Sequence, residues 1–279
     1  MKNYTTSLIF NDEPVEKLNN KIAKKIDSRL YLVAYYKPKR ISSNTSSEHA
    51  FWTAVTNIYT LFTDCAGYVN DNLLTLLFNK KLLEKSDKWK INNFIQLIRS
   101  SRSLFCHNMV SEFTETDKQL RLFNKFLKEQ LRRESPNVSI PYKPFLSSED
   151  WEVLISYLHY ESQNCFDILD NSINKISACN EEKKKYIVDK WLEYILKWYG
   201  RSSYFQIIGK SYFNFKNLKN RNNGNDYWTN KQCNIWIQDQ KEKWKEKFTE
   251  YVMEVDKPIF PHEILSIFFH EQVVNGNED

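Results

Sequence analysis

The stretch FIQLIRSSRSLFCHNM, Phe94 to Met109, decides how this chain is read. Its first half places Phe94, Ile95 and Ile98, after Ile91, at the spacing of one helix face. Helical phase carries that face on to Arg102, about three turns beyond Ile91. An unpaired guanidinium buried there costs on the order of several kcal/mol. Either the helix breaks near Ser100 and Ser101, or Arg102 has a partner at a functional interface. The serines favour a break, since either can cap a new helix running from Arg102 to about Phe113. Such a helix start presents free N–H groups and a positive dipole end, both attractive to phosphate. Arg102, the dipole and the titratable imidazole of His107 are then expected at one spot, a combination suited to phosphate chemistry.

Working outward, the same periodicity recurs on both sides. Asp12 to Tyr36 reads as a helix with Pro14 in its first turn and Val15, Leu18, Ile22 and Ile26 on one face. After the break at KPKRISSNTSSE, Ser46 or Ser47 is a suitable cap for a helix from about Glu48 to Ala66. Its inner face holds Phe51, Val55, Ile58 and Phe62, and Gly67 is expected to end or kink it. Further helices are expected at about 70–85, 89–99 and 117–133, the last basic and amphipathic through Leu120, Phe123, Leu127 and Leu131. The segment ESPNVSIPYKPFLSSED holds three prolines, each pushing its preceding residue out of helical geometry. It separates an expected domain 1–135 from a C-terminal helical region 146–279. That region reads as helices at 151–176, 181–199, 231–254 and 261–274, with Trp191, Tyr194 and Trp198 spaced as core residues.

With only five glycines and seven prolines, the chain has few of the tight connections that sandwiches, barrels and doubly wound sheets require. The expected fold class is all-α. The glycines, at 67, 200, 209, 224 and 276, are too scattered for a phosphate loop or dinucleotide fingerprint. Hydrophobic content of 41% with 15% aromatics indicates a folded chain despite 27% charged residues.

Charge is unevenly placed. Residues 1–145 carry 23 basic and 14 acidic side chains, whereas residues 146–279 carry 17 and 21. The basic half contains the Arg102 motif and fits an electrostatic footprint for nucleic acid. The cysteines form no CxxC pair, and no histidine pair has metal-ligand spacing; no metal or other cofactor is expected. His49, His159, His262 and His270 read as structural or exposed. No apolar run approaches a membrane span, and the apolar SLIF near the N-terminus is too short for a signal peptide, so a cytoplasmic location is expected.

RSLFCHN resembles the signature of the HEPN superfamily, an arginine followed after four to six residues by histidine and here by asparagine. The similarity covers roughly residues 46 to 134 and includes the order of long helices before the motif. It implies a HEPN-like helical bundle followed by a second helical region. It also implies a metal-independent endoribonuclease of the kind found in toxin and antiviral-defence systems. In that reading Arg102 and His107 are catalytic, and Asn108 orients the imidazole or holds phosphate. Asp64 or Asn57, on the preceding helix, supports the motif. Ser103 stands where family members often carry Asn, Asp or His. The family pairs two motifs in one cleft, which implies a homodimer, with RNA as substrate and an inhibitory or activating protein partner. The competing expectation is a non-catalytic RNA-binding or regulatory helical protein, or a subunit of a larger defence complex.

Overall fold

The computed structural model describes residues 9–33, 36–42, 44–65, 67–106, 114–132, 146–201, 203–222, 229–254 and 261–274. Among them are ten α-helices and no strand, so the fold is all-α. The chain divides into two compact units, one of residues 1–21 and 35–179, the other of 22–34 and 180–279.

Helix α1 (Glu13–Lys25), which belongs to the first unit up to Lys21 and to the second from Ile22, begins with Asp12 accepting the Val15 and Glu16 N–H groups. It is shorter than its apolar periodicity suggests. Asp27 takes the Arg29 backbone N–H at 3.0 Å and its guanidinium at 2.7 and 2.8 Å, a local turn that competes with helix. Beyond it Leu30, Tyr31, Leu32 and Val33 are all buried, which no single helix face permits.

Helix α2 (Ser47–Tyr59) is capped by Ser46, whose hydroxyl accepts the His49 N–H at 3.3 Å. It continues as a π-helical turn, Thr60–Asp64, closed by the Cys65 N–H on the Thr60 carbonyl at 2.8 Å. Helix α3 (Gly67–Asn79) thus starts at the glycine expected to end its predecessor. Its far end closes when Leu82 N–H reaches the Leu77 carbonyl (2.8 Å), with Lys81 in the left-handed region at φ 58°. Helices α4 (Lys85–Cys106) and α5 (Thr114–Leu131) follow. Helix α6 (Ser148–Ser177) opens with a reciprocal cap: Ser147 accepts the Asp150 N–H, and Asp150 accepts that of Ser147.

The sequence groups α6 with the C-terminal half, but the contacts place it in the first unit, which divides from the second after Cys179 rather than at the proline-rich segment. The reason lies in its inner face. Trp151 meets Phe51 at 5.0 Å and Trp52 at 6.0 Å between ring centroids, while Phe166 meets Phe62 at 6.1 Å. Phe123 of α5 joins the same cluster, stacked on Trp52 at 5.9 Å.

The second unit holds α7 (Glu181–Arg201), α8 (Ser203–Asn222), α9 (Asn230–Glu254) and α10 (Pro261–Val274). Trp191 is fully buried, as its spacing suggests. Helix α8 has no counterpart in the sequence expectations, because glycine and aromatic residues give it poor intrinsic propensity. Packing supplies what propensity lacks. Gly209 lies so close to its neighbours that a Cβ there would stand 3.1 Å from both Ile237 and Phe269.

Candidate functional site

The expected break at Ser100 and Ser101 does not occur. Helix α4 runs through both serines to Cys106. Ser101 is buried, and its hydroxyl donates to the Leu97 carbonyl at 2.8 Å, so the polar group is satisfied inside the helix instead of capping a new one. Arg102 therefore lies inside α4, toward its C-terminal end, and among the described residues no helix begins at it. The remaining possibility, a partner, is what the structure supplies.

That partner is an aromatic ring. The Arg102 guanidinium carbon lies 3.9 Å from the centroid of Tyr59, where α2 passes into the π turn. A stacked cation of this kind contributes about 0.5 to 2 kcal/mol, depending on desolvation. The Arg102 Nε is buried and has no hydrogen-bond partner among the described residues.

The π turn arranges the surroundings. It inserts an extra residue into the helical repeat, and both Leu61 and Phe62 are buried, Phe62 edge-on to Phe94 of α4 at 6.3 Å. Thr63 meets α4 as well: its hydroxyl accepts Arg99 Nε at 3.5 Å. Arg99, one turn before Arg102, also lies 3.6 Å from the Asp71 carboxylate of α3. Asp64 closes the group. Although the residue is exposed, loss of solvation raises its carboxyl pKa above the ordinary value, against the opposing pull of the Arg102 charge. Burial, followed by the Asp64 charge, pushes the Cys65 thiol up to about 12, so it is not a ready nucleophile.

Of the residues singled out from sequence, Asp64 on the π turn is near enough to Arg102 on α4 for that charge to act on its carboxyl. Ser103 is half-buried on α4, about 100° round the helix from Arg102. His107 and Asn108 lie outside the described residues. Asn57 has a different task from the one expected. Its side chain is buried, donates to the Ile9 and Lys39 carbonyls at 2.9 Å each, and accepts the Lys39 N–H at 2.9 Å. It fastens two irregular segments to α2.

Sequence reasoning missed Tyr59, Arg99, Thr63 and Asp71. Arg99 was detectable from its spacing, since i and i+3 share a helix face. The others depend on which helices meet. Among the described residues no group of three or more His, Cys, Asp or Glu side chains could hold a metal, and no helix is long and apolar enough to cross a membrane. Comparison of the chain with protein-family models, curated proteins and solved structures returns no match.

Proposed function

We propose that this protein is a HEPN-type endoribonuclease that cleaves RNA without a metal ion. The observation that supports this reading most directly is the Arg102 guanidinium held over the Tyr59 ring at 3.9 Å, its buried Nε without a hydrogen-bond partner among the described residues. A cation so held is pre-oriented for phosphate, and His107 follows it in the chain by five residues. In the reaction, the ribose 2′-hydroxyl gives up its proton and attacks the adjacent phosphorus. The bond to the 5′-oxygen breaks, leaving a 2′,3′-cyclic phosphate and a protonated 5′-hydroxyl. His107 moves protons, suited by the ordinary imidazole pKa of about 6.5, while Arg102 stabilises the charge on the phosphorane oxygens. One arginine and one imidazole make half a site, which a second copy of the chain completes. The defence or toxin role, the cytoplasmic location and control by a protein partner belong to the same reading.

The test is cleavage of labelled RNA in EDTA. Wild-type protein is expected to give cyclic-phosphate ends, and Arg102→Ala and His107→Ala to lose about 100-fold or more in rate. Full activity in both variants refutes the assignment. A non-catalytic RNA-binding protein is the second reading, favoured by the stacking itself, which holds Arg102 whether or not a bond breaks. Salt-sensitive binding without products selects it.

A further inference from the structure

We infer that Arg99 forms a second phosphate subsite, which receives the phosphate neighbouring the one held by Arg102 on a single-stranded RNA. The inference rests on the proposed RNA reading of Arg102 and adds a residue and a regulating carboxylate to it.

Three observations lead to it. Arg99 and Arg102 are one turn apart on α4, which puts their Cβ atoms about 5 to 6 Å from one another on the same face. Their restraints differ sharply. Arg102 is fixed by its ring at 3.9 Å, whereas among the described residues Arg99 is held by a 3.5 Å contact to Thr63 and a 3.6 Å approach to Asp71. Both side chains of that ion pair are well exposed, 43% for Arg99 and 51% for Asp71. Such a pair is weak in water and screened by salt, so an incoming phosphate displaces the carboxylate readily. Arg102 thereby serves as the fixed grip and Arg99 as the exchangeable one, with Asp71 occupying Arg99 in the absence of RNA. The planar fork of Arg99 can face phosphate with two donors, which Thr63 and Asp71 do not fully engage at these distances.

The experiment measures binding of labelled 2′-O-methyl single-stranded RNA, which lacks the attacking hydroxyl, to the full chain over a range of salt concentrations. Each phosphate contact on a single strand contributes about 0.7 to the slope of log affinity against log salt. Arg99→Gln is expected to lower that slope by about 0.7 and to weaken binding roughly tenfold. Arg99→Lys keeps most of the slope, and Asp71→Asn tightens binding by freeing Arg99. An unchanged slope in Arg99→Gln, or weaker binding in Asp71→Asn, overturns the subsite. The two readings fail separately. Wild-type protein that cleaves RNA while Arg99→Gln binds unchanged removes only the subsite; a lowered slope in a protein that never cleaves keeps the subsite and removes the nuclease. Wild-type protein that binds no RNA removes both.

Discussion

The α2–α4 corner of the first unit and the α8–α10 core of the second solve the same packing problem with opposite chemistry. In the second, rings meet rings: Phe205 and Phe269 at 5.1 Å, Phe213 and Trp236 at 5.8 Å, Trp244 and Phe268 at 5.8 Å. In the first, a ring of the same class faces the Arg102 guanidinium, whose charge acts on Asp64, while one turn earlier Arg99 meets Thr63 and Asp71. The same corner also holds the Phe62–Phe94 ring pair at 6.3 Å, so its polar groups stand beside an apolar contact and not in place of one, which is why they are the better place to look for function.

The comparison breaks most visibly at Asn57. Replacing it with Ala removes one buried and two part-buried hydrogen bonds, to the Ile9 carbonyl, which also accepts Tyr36 at 3.2 Å, and to the Lys39 carbonyl and N–H. The expected loss is about 3 kcal/mol, read as a lower urea midpoint. If Asn57→Ala instead keeps full stability but abolishes RNA cleavage, Asn57 belongs to the site after all.

A smaller effect is expected in the aromatic core. Gly209→Ala gains about 1 kcal/mol of helix propensity but presses a methyl group against Ile237 and Phe269, and overpacking costs about 1 to 3 kcal/mol. A net loss of about 1 kcal/mol follows, with cleavage unaffected. A more stable variant would mean that α8 has room to move and that the second unit is less tightly fitted than its ring contacts imply.

The smallest effect sharpens the role of Asp64. Its raised pKa means that the folded protein binds the carboxyl proton more tightly than the unfolded chain does. Stability is therefore lost as pH rises from the ordinary carboxylate value through the raised one. Asp64→Asn removes that loss, so its melting temperature is expected to exceed wild type at about pH 7 and to match it at about pH 3. A lower melting temperature at neutral pH would show that attraction to Arg102 outweighs the cost of burying the carboxylate.

How much of this was legible in the sequence varies from one helix to the next. Ile91, Phe94, Ile95 and Ile98 announced α4 and its inner face, yet the same stretch misled about the serines, because Ser101 can either cap a helix or bond back to a carbonyl within one. The apolar spacing of α2 was plain, but the π turn was not, since one added residue leaves no mark in composition. Helix α8 was missed because Gly209 reads as a breaker until its close neighbours are known.

The sequence by itself determined the all-α class, most of the apolar helix faces, the basic first half and the spacing of Arg102 from His107. These follow from local periodicity and from charge, which need only the order of residues. The tertiary structure alone decided that α6 packs with α2, that Asn57 fastens backbone segments, and that Tyr59 receives Arg102. A partner drawn from another helix depends on how two surfaces meet, and no periodicity within either helix encodes that meeting.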